Sequence, residues 1–253
     1  MASFLLYLDG DILDKIAVYT GSRNIYSDMV MSAKSLTAFS DVDKIYFLIE
    51  DDIFPEELPE HIETMNMSNQ EYFFPWSPNT TTTFTYFAML RAALGDIFHS
   101  YDRILSLDCD TVAVRDVSHI WELPIDNCYF SASIEPHRSI HGLKYTNVGV
   151  CLMNLKNLRI SGKTYEYIDV LNKQRFDFVD QDVMNYLSQG YIYEMASEYN
   201  ANNFTKSCQN PRIIHFAGMK RDVWTKHPKA KYYRNLSWDD AFKLQKQNKS
   251  YPN

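Results

Sequence analysis

The segment RILSLD, residues 103–108, is apolar on both of its alternating faces between Arg103 and the closing carboxylate, apart from Ser106. Successive side chains of a strand point to opposite sides, so a strand of this kind must be covered above and below. That requirement confines the chain to a layered α/β architecture with helices on both faces of a mostly parallel sheet. The remaining segments agree. IAVYT (16–20), KIYFLIE (44–50), YFSASIE (129–135), GVCLMNL (149–155), YIYEM (191–195) and RIIHF (212–216) read as further strands. Helical patterns fall near 27–39, 84–98, 163–174 and 182–187. At 253 residues the chain suits one α/β domain with a sizeable core. In such sheets ligands bind outside the carboxyl ends of the strands. Asp108 and Asp110 therefore stand where chemistry is expected.

Residues i and i+2 of an extended segment point the same way, so Asp108 and Asp110 can address one point beyond the strand. Two like charges so close repel unless a cation lies between them, and oxygen ligands suit Mg²⁺, Mn²⁺ or Ca²⁺. A structural turn or helix cap is the alternative, since Asp favours both. Asp9 and Asp11 in LDGDILD repeat the pattern, but the intervening Gly10 marks a turn before the first strand.

Composition excludes several classes. Hydrophobic residues at 45% and aromatics at 15% describe a folded globule. The four cysteines, at 109, 128, 151 and 208, form no CxxC pair, so reduced thiols are expected and a cysteine zinc site is not. MASFLLYLDGDILDK lacks a basic n-region and meets acid early, which predicts a cytoplasmic protein. Net charge is −7, unevenly spread. Residues 220–253 hold nine Lys/Arg against three Asp, leaving 16 basic and 29 acidic residues before them. The acidic body argues against nucleic acid. The basic tail, with Trp224, Tyr232, Tyr233 and Trp238, reads either as a solvated helical end or as a peripheral contact with the inner face of a membrane or with a phosphorylated substrate. These readings divide the chain into a catalytic domain, 1–224, and a basic aromatic extension, 225–253.

DCDTVAV looks like the first motif of haloacid dehalogenase-type phosphatases, in which the first Asp is a nucleophile. Such an enzyme also needs a downstream lysine and an acidic metal pair, and no GDxxxD-like element follows Asp110. A noncatalytic module binding a sugar nucleotide is a further alternative.

Longer motifs along the chain point elsewhere. IAVYTGSRNIYSDMVMSAKSL, RILSLDCDTVAVRDVSHIWEL (103–123), TNVGVCLMNLKNLR (146–159), VDQDVMNYL (179–187) and PRIIHFAGMKRDVW (211–224) occur in that order and together resemble glycosyltransferase family 8, over roughly residues 15–224. The resemblance implies a GT-A fold, Rossmann-like, and a retaining hexosyltransferase. The enzyme would move glucose or galactose from a UDP-sugar to a saccharide, lipid-linked or glycoprotein acceptor. It implies Mn²⁺, with Mg²⁺ as the alternative, held by Asp108, Asp110 and His215. Imidazole beside carboxylates suits Mn²⁺ better than Ca²⁺. Thr20, Gly21, Asn24, Cys109, Gly218 and Lys220 would face UDP, with Arg221 able to replace Lys220 because one extra residue precedes Trp224. Arg91, Glu135, Asn147, Asp180 and Gln181 would form the donor-sugar pocket. Gln181, an amide and a poor nucleophile, favours front-face displacement, with attack by Asp180 as the rival. Glu135 stands where Asp is usual, Val148 where a small residue is usual, and Ser22 and Arg23 where many members are acidic.

Overall fold

Beyond Arg103, every residue of the strand Arg103–Leu107 is buried in the computed structural model, which describes residues 15–80 and 85–250. In chain order the strands are β1 (Ile16–Thr20), β2 (Lys44–Ile49), β3 (Ile62–Asn66), β4 (Arg103–Leu107), β5 (Thr111–Ala113), β6 (Phe130–Ile140), β7 (Leu143–Asn154), β8 (Ile192–Glu194) and β9 (Ile213–His215). The helices are α1 (Tyr26–Phe39), α2 (Tyr86–Ile97), α3 (Leu155–Ile160), α4 (Lys163–Lys173), α5 (Val179–Leu187), α6 (Arg221–Trp224), α7 (Pro228–Asn235) and α8 (Trp238–Ser250).

Seven strands form one sheet in the order β3-β2-β1-β4-β7-β6-β8, and β5 pairs with β9 in a separate ribbon. The β3-β2-β1-β4 block is parallel, β7 runs antiparallel to both β4 and β6, and β8 is parallel to β6. The alternation on β1 feeds two cores. Ile16 and Val18 pack with Ile104, Leu90, Leu94 and Tyr167 on the α2–α4 side. Ala17 and Tyr19 pack with Leu105, Leu107, Met29 and Ala33 on the α1 side. Full burial of each such large side chain stabilises by about 1.5–3 kcal/mol. The mostly parallel, helix-flanked sheet expected of the sequence is what forms.

Several elements depart from their expected bounds. The strands read at 129–135 and 149–155 are halves of a longer hairpin, closed where Ile140 pairs with Leu143 across His141 and Gly142. Both turn residues have positive φ (49° and 76°), which gives a two-residue turn of the twist a hairpin prefers. Polar residues across 136–144 conceal it in the sequence. α5 begins at Val179 rather than 182, so Asp180 lies inside its first turn and is not its cap. β3 and β5 are too short or too exposed to leave a strand pattern. The turn read at Asp9–Asp11 lies outside the described residues, as does Phe84 before α2.

The C-terminal helices lie on the outer face of α1. Trp224, Ala230 and Tyr233 bury against Met31 and Ala38. Asp28 of α1, 1% exposed, accepts hydrogen bonds from Arg221 Nε (2.6 Å) and from Arg234 Nη2. A buried carboxylate needs such partners, because an unpaired charge there is strongly destabilising. Among the described residues no helix is long and apolar enough to cross a membrane.

Candidate active site

The strand order reverses between β1 and β4: β2 and β3 extend to one side of β1, while β4 lies on the other. Connections leave that point in opposite directions and a crevice opens at the carboxyl ends of both strands. A cleft of about 570 Å³ lies there. Thr20, which ends β1, with Gly21 after it, and Asp108, Cys109 and Asp110, just after β4, form part of its wall.

His215 reaches the same point from a distant part of the chain. β5 and β9 pair antiparallel with Thr111 opposite His215, and Phe216 N donates to Asp110 O at 3.0 Å. The imidazole Nε2 then lies 3.3 Å from Asp110 Oδ1 and 3.5 Å from Asp108 Oδ2. One donor atom from each of the three residues falls within 4.8 Å of the others. Asn200 Oδ1 accepts from His215 Nδ1 at 2.8 Å, which fixes the hydrogen on Nδ1 and aims Nε2 at the carboxylates. Burial alone would lower the pKa of His215, but the Asp110 and Asp108 carboxylates outweigh it and hold the imidazole above its ordinary value. Two carboxylates and one imidazole converging on one point suit a divalent cation of borderline softness. Gly149 makes the convergence possible, since a Cβ there would lie 2.1 Å from His215 Cε1.

Arg91 ties Asp108 to Asp180. Its Nη1 donates to Asp180 Oδ2 at 2.9 Å, its Nη2 donates to Asp108 Oδ1, and its Nε donates to Ser106 Oγ at 3.0 Å. Ser106 is the one polar residue of β4 after Arg103 and serves to orient the guanidinium. Burial would raise Asp108, but Arg91 and His215 overcome that and hold it below the usual carboxylate range. Asp180, 5% exposed, goes the other way. Burial raises it to about 6, Arg91 only partly offsets this, and Asp108 adds to it.

The opposite wall carries Glu135, Asn147, Asp180 and Gln181. Asn147 Nδ2 donates to Glu135 Oε1 at 2.8 Å, while Asn147 Oδ1 accepts from Gly149 N and from Asn200 Nδ2. Glu135 Oε2 is buried and lies 3.3 Å from Arg138 Nη1, an ion-pair distance without hydrogen-bond alignment. Gln181 is held at both ends of its amide: Oε1 accepts from Val148 N at 3.1 Å and Nε2 donates to Tyr145 Oη at 3.1 Å. Val179, immediately before this pair, has φ +27°, a strained conformation for a β-branched residue. The Asp182 carboxylate, which accepts from Phe178 N at 2.9 Å and from Tyr145 Oη, holds that bend. Val148 is buried in the α2–α4 core, so its bulk does not enter the cleft.

The mouth of the cleft includes Thr20, Gly21, Asn24, Cys109 and Gly218. Cys109 Sγ donates to Thr20 O at 3.4 Å, and burial beside Asp108 and Asp110 pushes its thiol well above the ordinary value, so it is no reactive thiolate. Gly218 has φ +70°, the left-handed region that favours glycine. Arg23 turns away from the cleft to pair with Asp51. Of the site residues read from the sequence, the cleft gathers all but Lys220, which is exposed outside its lining. Arg221 lines it instead. Asn200, Tyr145, Asp182 and Arg138 were not legible as site residues. They act by holding other site residues, through contacts that leave no periodic or spaced signal.

The sequence model of glycosyl transferase family 8 matches residues 17–226. General stress protein A of Bacillus subtilis is 26% identical over 187 residues, 60% of this chain and 65% of that one. Lipopolysaccharide 1,2-glucosyltransferase of Escherichia coli is 26% identical over 172 residues, 55% of this chain and 51% of that protein. The chain thus spans about half to two thirds of the length of these curated relatives. The solved galactosyltransferase LgtC, in complex with donor and acceptor sugar analogs, superposes with a TM-score of 0.63 at 18% identity, covering 92% of this chain and 95% of that one. That likeness shows the GT-A fold.

Proposed function

Since the chain belongs to glycosyl transferase family 8, whose model matches residues 17–226, we propose that it is a retaining, Mn²⁺-dependent hexosyltransferase. It would move glucose or galactose from a UDP-sugar to a saccharide or glycoconjugate acceptor. The observation that carries this reading is the meeting of Asp108, Asp110 and His215 at the strand-order reversal. A diphosphate cannot settle beside two carboxylates without a cation between them. When bound, that cation supplies Lewis acidity to the departing phosphate and stands in for a protonating side chain.

The chain's own residues do the rest. Thr20, Gly21, Asn24, Cys109 and Gly218 would seat the nucleotide, with Arg221 rather than Lys220 beside the diphosphate, since Arg221 lines the cleft. Arg91, Asn147 and Asp180 would bind hexose hydroxyls. Glu135 Oε2, buried without a hydrogen bond, has acceptor capacity for one more. Asp180 is held by Arg91, and attack through it would break that pair. Gln181 presents a fixed amide dipole, which supports front-face displacement. The acceptor oxygen bonds to the anomeric carbon on the face that UDP leaves, the carbon–phosphate oxygen bond breaks, and the hydroxyl proton passes to the departing phosphate. The phosphatase reading lacks its lysine, for no lysine lines the cleft among the described residues. Exposed Lys226, Lys229 and Lys231 beside Tyr232 support a peripheral contact with an anionic membrane face.

The deciding experiment measures UDP release across a panel of UDP-sugars with EDTA, Mn²⁺ or Mg²⁺. Metal-dependent release that falls at least about a hundredfold in Asp110→Ala is expected. Sugar-nucleotide binding without release would instead mark a binding module.

A further inference from the structure

A second concavity of about 530 Å³ lies between the loop after β3 and α4, and it shares no lining residue with the catalytic cleft. Phe74 and Trp76 stand out of that loop with rings stacked at 5.2 Å and 12°, and they are 45% and 77% exposed. Folding gains nothing from holding two large apolar rings in water, yet the loop is held firmly. Asn172 Oδ1 accepts from Phe74 N at 3.1 Å, and its Nδ2 donates to Tyr72 O at 2.7 Å. Ser77 Oγ donates to Leu171 O at 2.9 Å, and Gln70 makes paired bonds of 2.8 and 2.9 Å with the backbone of Phe73. Phe73 itself is buried in the α2–α4 core. This anchoring fixes an aromatic surface in advance of anything that lands on it, which lowers the ordering cost of binding.

We infer that this concavity is an accessory binding site for a neutral saccharide. That the saccharide belongs to an extended acceptor rests on the glycosyl-transfer reading. The faces of pyranose rings carry weakly positive C–H groups that match the negative face of an aromatic ring, while hydroxyls at the ring edge seek carboxylate and ammonium partners. The concavity offers both. Tyr72 and Tyr165 are pinned by their hydroxyls, which donate to the two oxygens of Asp96 at 3.1 and 2.7 Å. Glu71 and the Asp169–Lys173 pair supply the polar rim. Two carboxylates against one ammonium disfavour an anionic ligand or an anionic lipid surface.

The test is a ligand-observed saturation-transfer NMR and calorimetric titration of the whole chain. The probes are neutral oligosaccharides of glucose, galactose or N-acetylglucosamine. At least one series is expected to bind, with affinity falling at least tenfold in Trp76→Ala and severalfold in Phe74→Ala and Glu71→Gln, at unchanged thermal midpoints. Binding is expected to persist in Asp110→Ala, so loss of transfer and loss of this site are read separately. The inference is overturned if no series binds the unsubstituted chain or if affinity is indifferent to residue 76. It is equally overturned if Trp76 governs only self-association or vesicle binding.

Discussion

Gly149 lies so close to His215 that a side chain on residue 149 would put its Cβ 2.1 Å from the imidazole Cε1, and 2.7 Å from Asp108 Oδ2. The imidazole is buried and has nowhere to retreat without disturbing the carboxylates beside it. Gly149→Ala is therefore expected to weaken Mn²⁺ binding at least tenfold, as read by electron paramagnetic resonance titration. The cost in stability is expected to be about 1–3 kcal/mol from overpacking. Unaltered Mn²⁺ affinity in a folded variant would remove His215 from the cation site.

Asn200 touches no ligand position but orients the ring that does, through its 2.8 Å bond with His215 Nδ1. Replacing such an outer-shell partner typically costs about 10–100-fold in metal affinity or activity. Asn200→Ala is expected within that range for Mn²⁺ affinity, with about 1–3 kcal/mol of destabilisation from the buried His215 Nδ1 donor that loses its partner. A loss of stability with unchanged metal affinity would reduce Asn200 to a packing role.

The carboxyl of Asp180, raised to about 6 by burial, makes stability depend on pH. Between the ordinary carboxyl value of 3.8 and about 6, the unfolded chain has released this proton while the native chain retains it. Its contribution to stability is thus present at low pH and is lost as pH rises through 6. Asp180→Asn lacks that loss. Its stability relative to the unsubstituted chain is expected to improve by about 2 kcal/mol from pH 4 to pH 7, on top of a pH-independent offset for the altered Arg91 contact. Thermal melts in EDTA across that range read it, and a flat difference would show that Asp180 titrates normally.

Deleting residues 225–253 removes Ala230, Tyr233 and Arg234 and uncovers Trp224, Met31 and the outer face of α1. The expected loss is about 5 kcal/mol or more, a large share of the stability of a domain this size, seen as a melting temperature lowered by about 10 °C or more. Reversing the exposed Lys226, Lys229 and Lys231 to Glu is expected to leave the melt unchanged while weakening co-sedimentation with anionic vesicles. Equal sedimentation after reversal would remove the tail from any membrane role.

The sequence made the site's first wall legible because β1 and β4 are apolar runs with abrupt polar ends, and the acid pair after β4, read either as a cation site or as a turn, lies in the β4–β5 turn with both carboxylates toward His215. Distant His215, Asn147 and Gln181 were reached through resemblance to a family and not through local pattern. Ser106 looked like a blemish in an apolar strand, whereas it accepts from Arg91. The basic tail was harder to read, because charge density alone does not reveal that Arg221 and Arg234 both pair with one buried carboxylate on α1. The 136–144 stretch hides its hairpin because pairing across a tight turn depends on backbone φ at His141 and Gly142, not on alternation of side-chain polarity.

The ribbon of β5 with β9 spans nearly half the chain to bring His215 beside Asp110. During synthesis the two acids emerge from the ribosome about a hundred residues before their third companion. A product truncated before His215 would keep both acids yet lack the imidazole that faces them, so this three-residue cluster is built only once β9 is made.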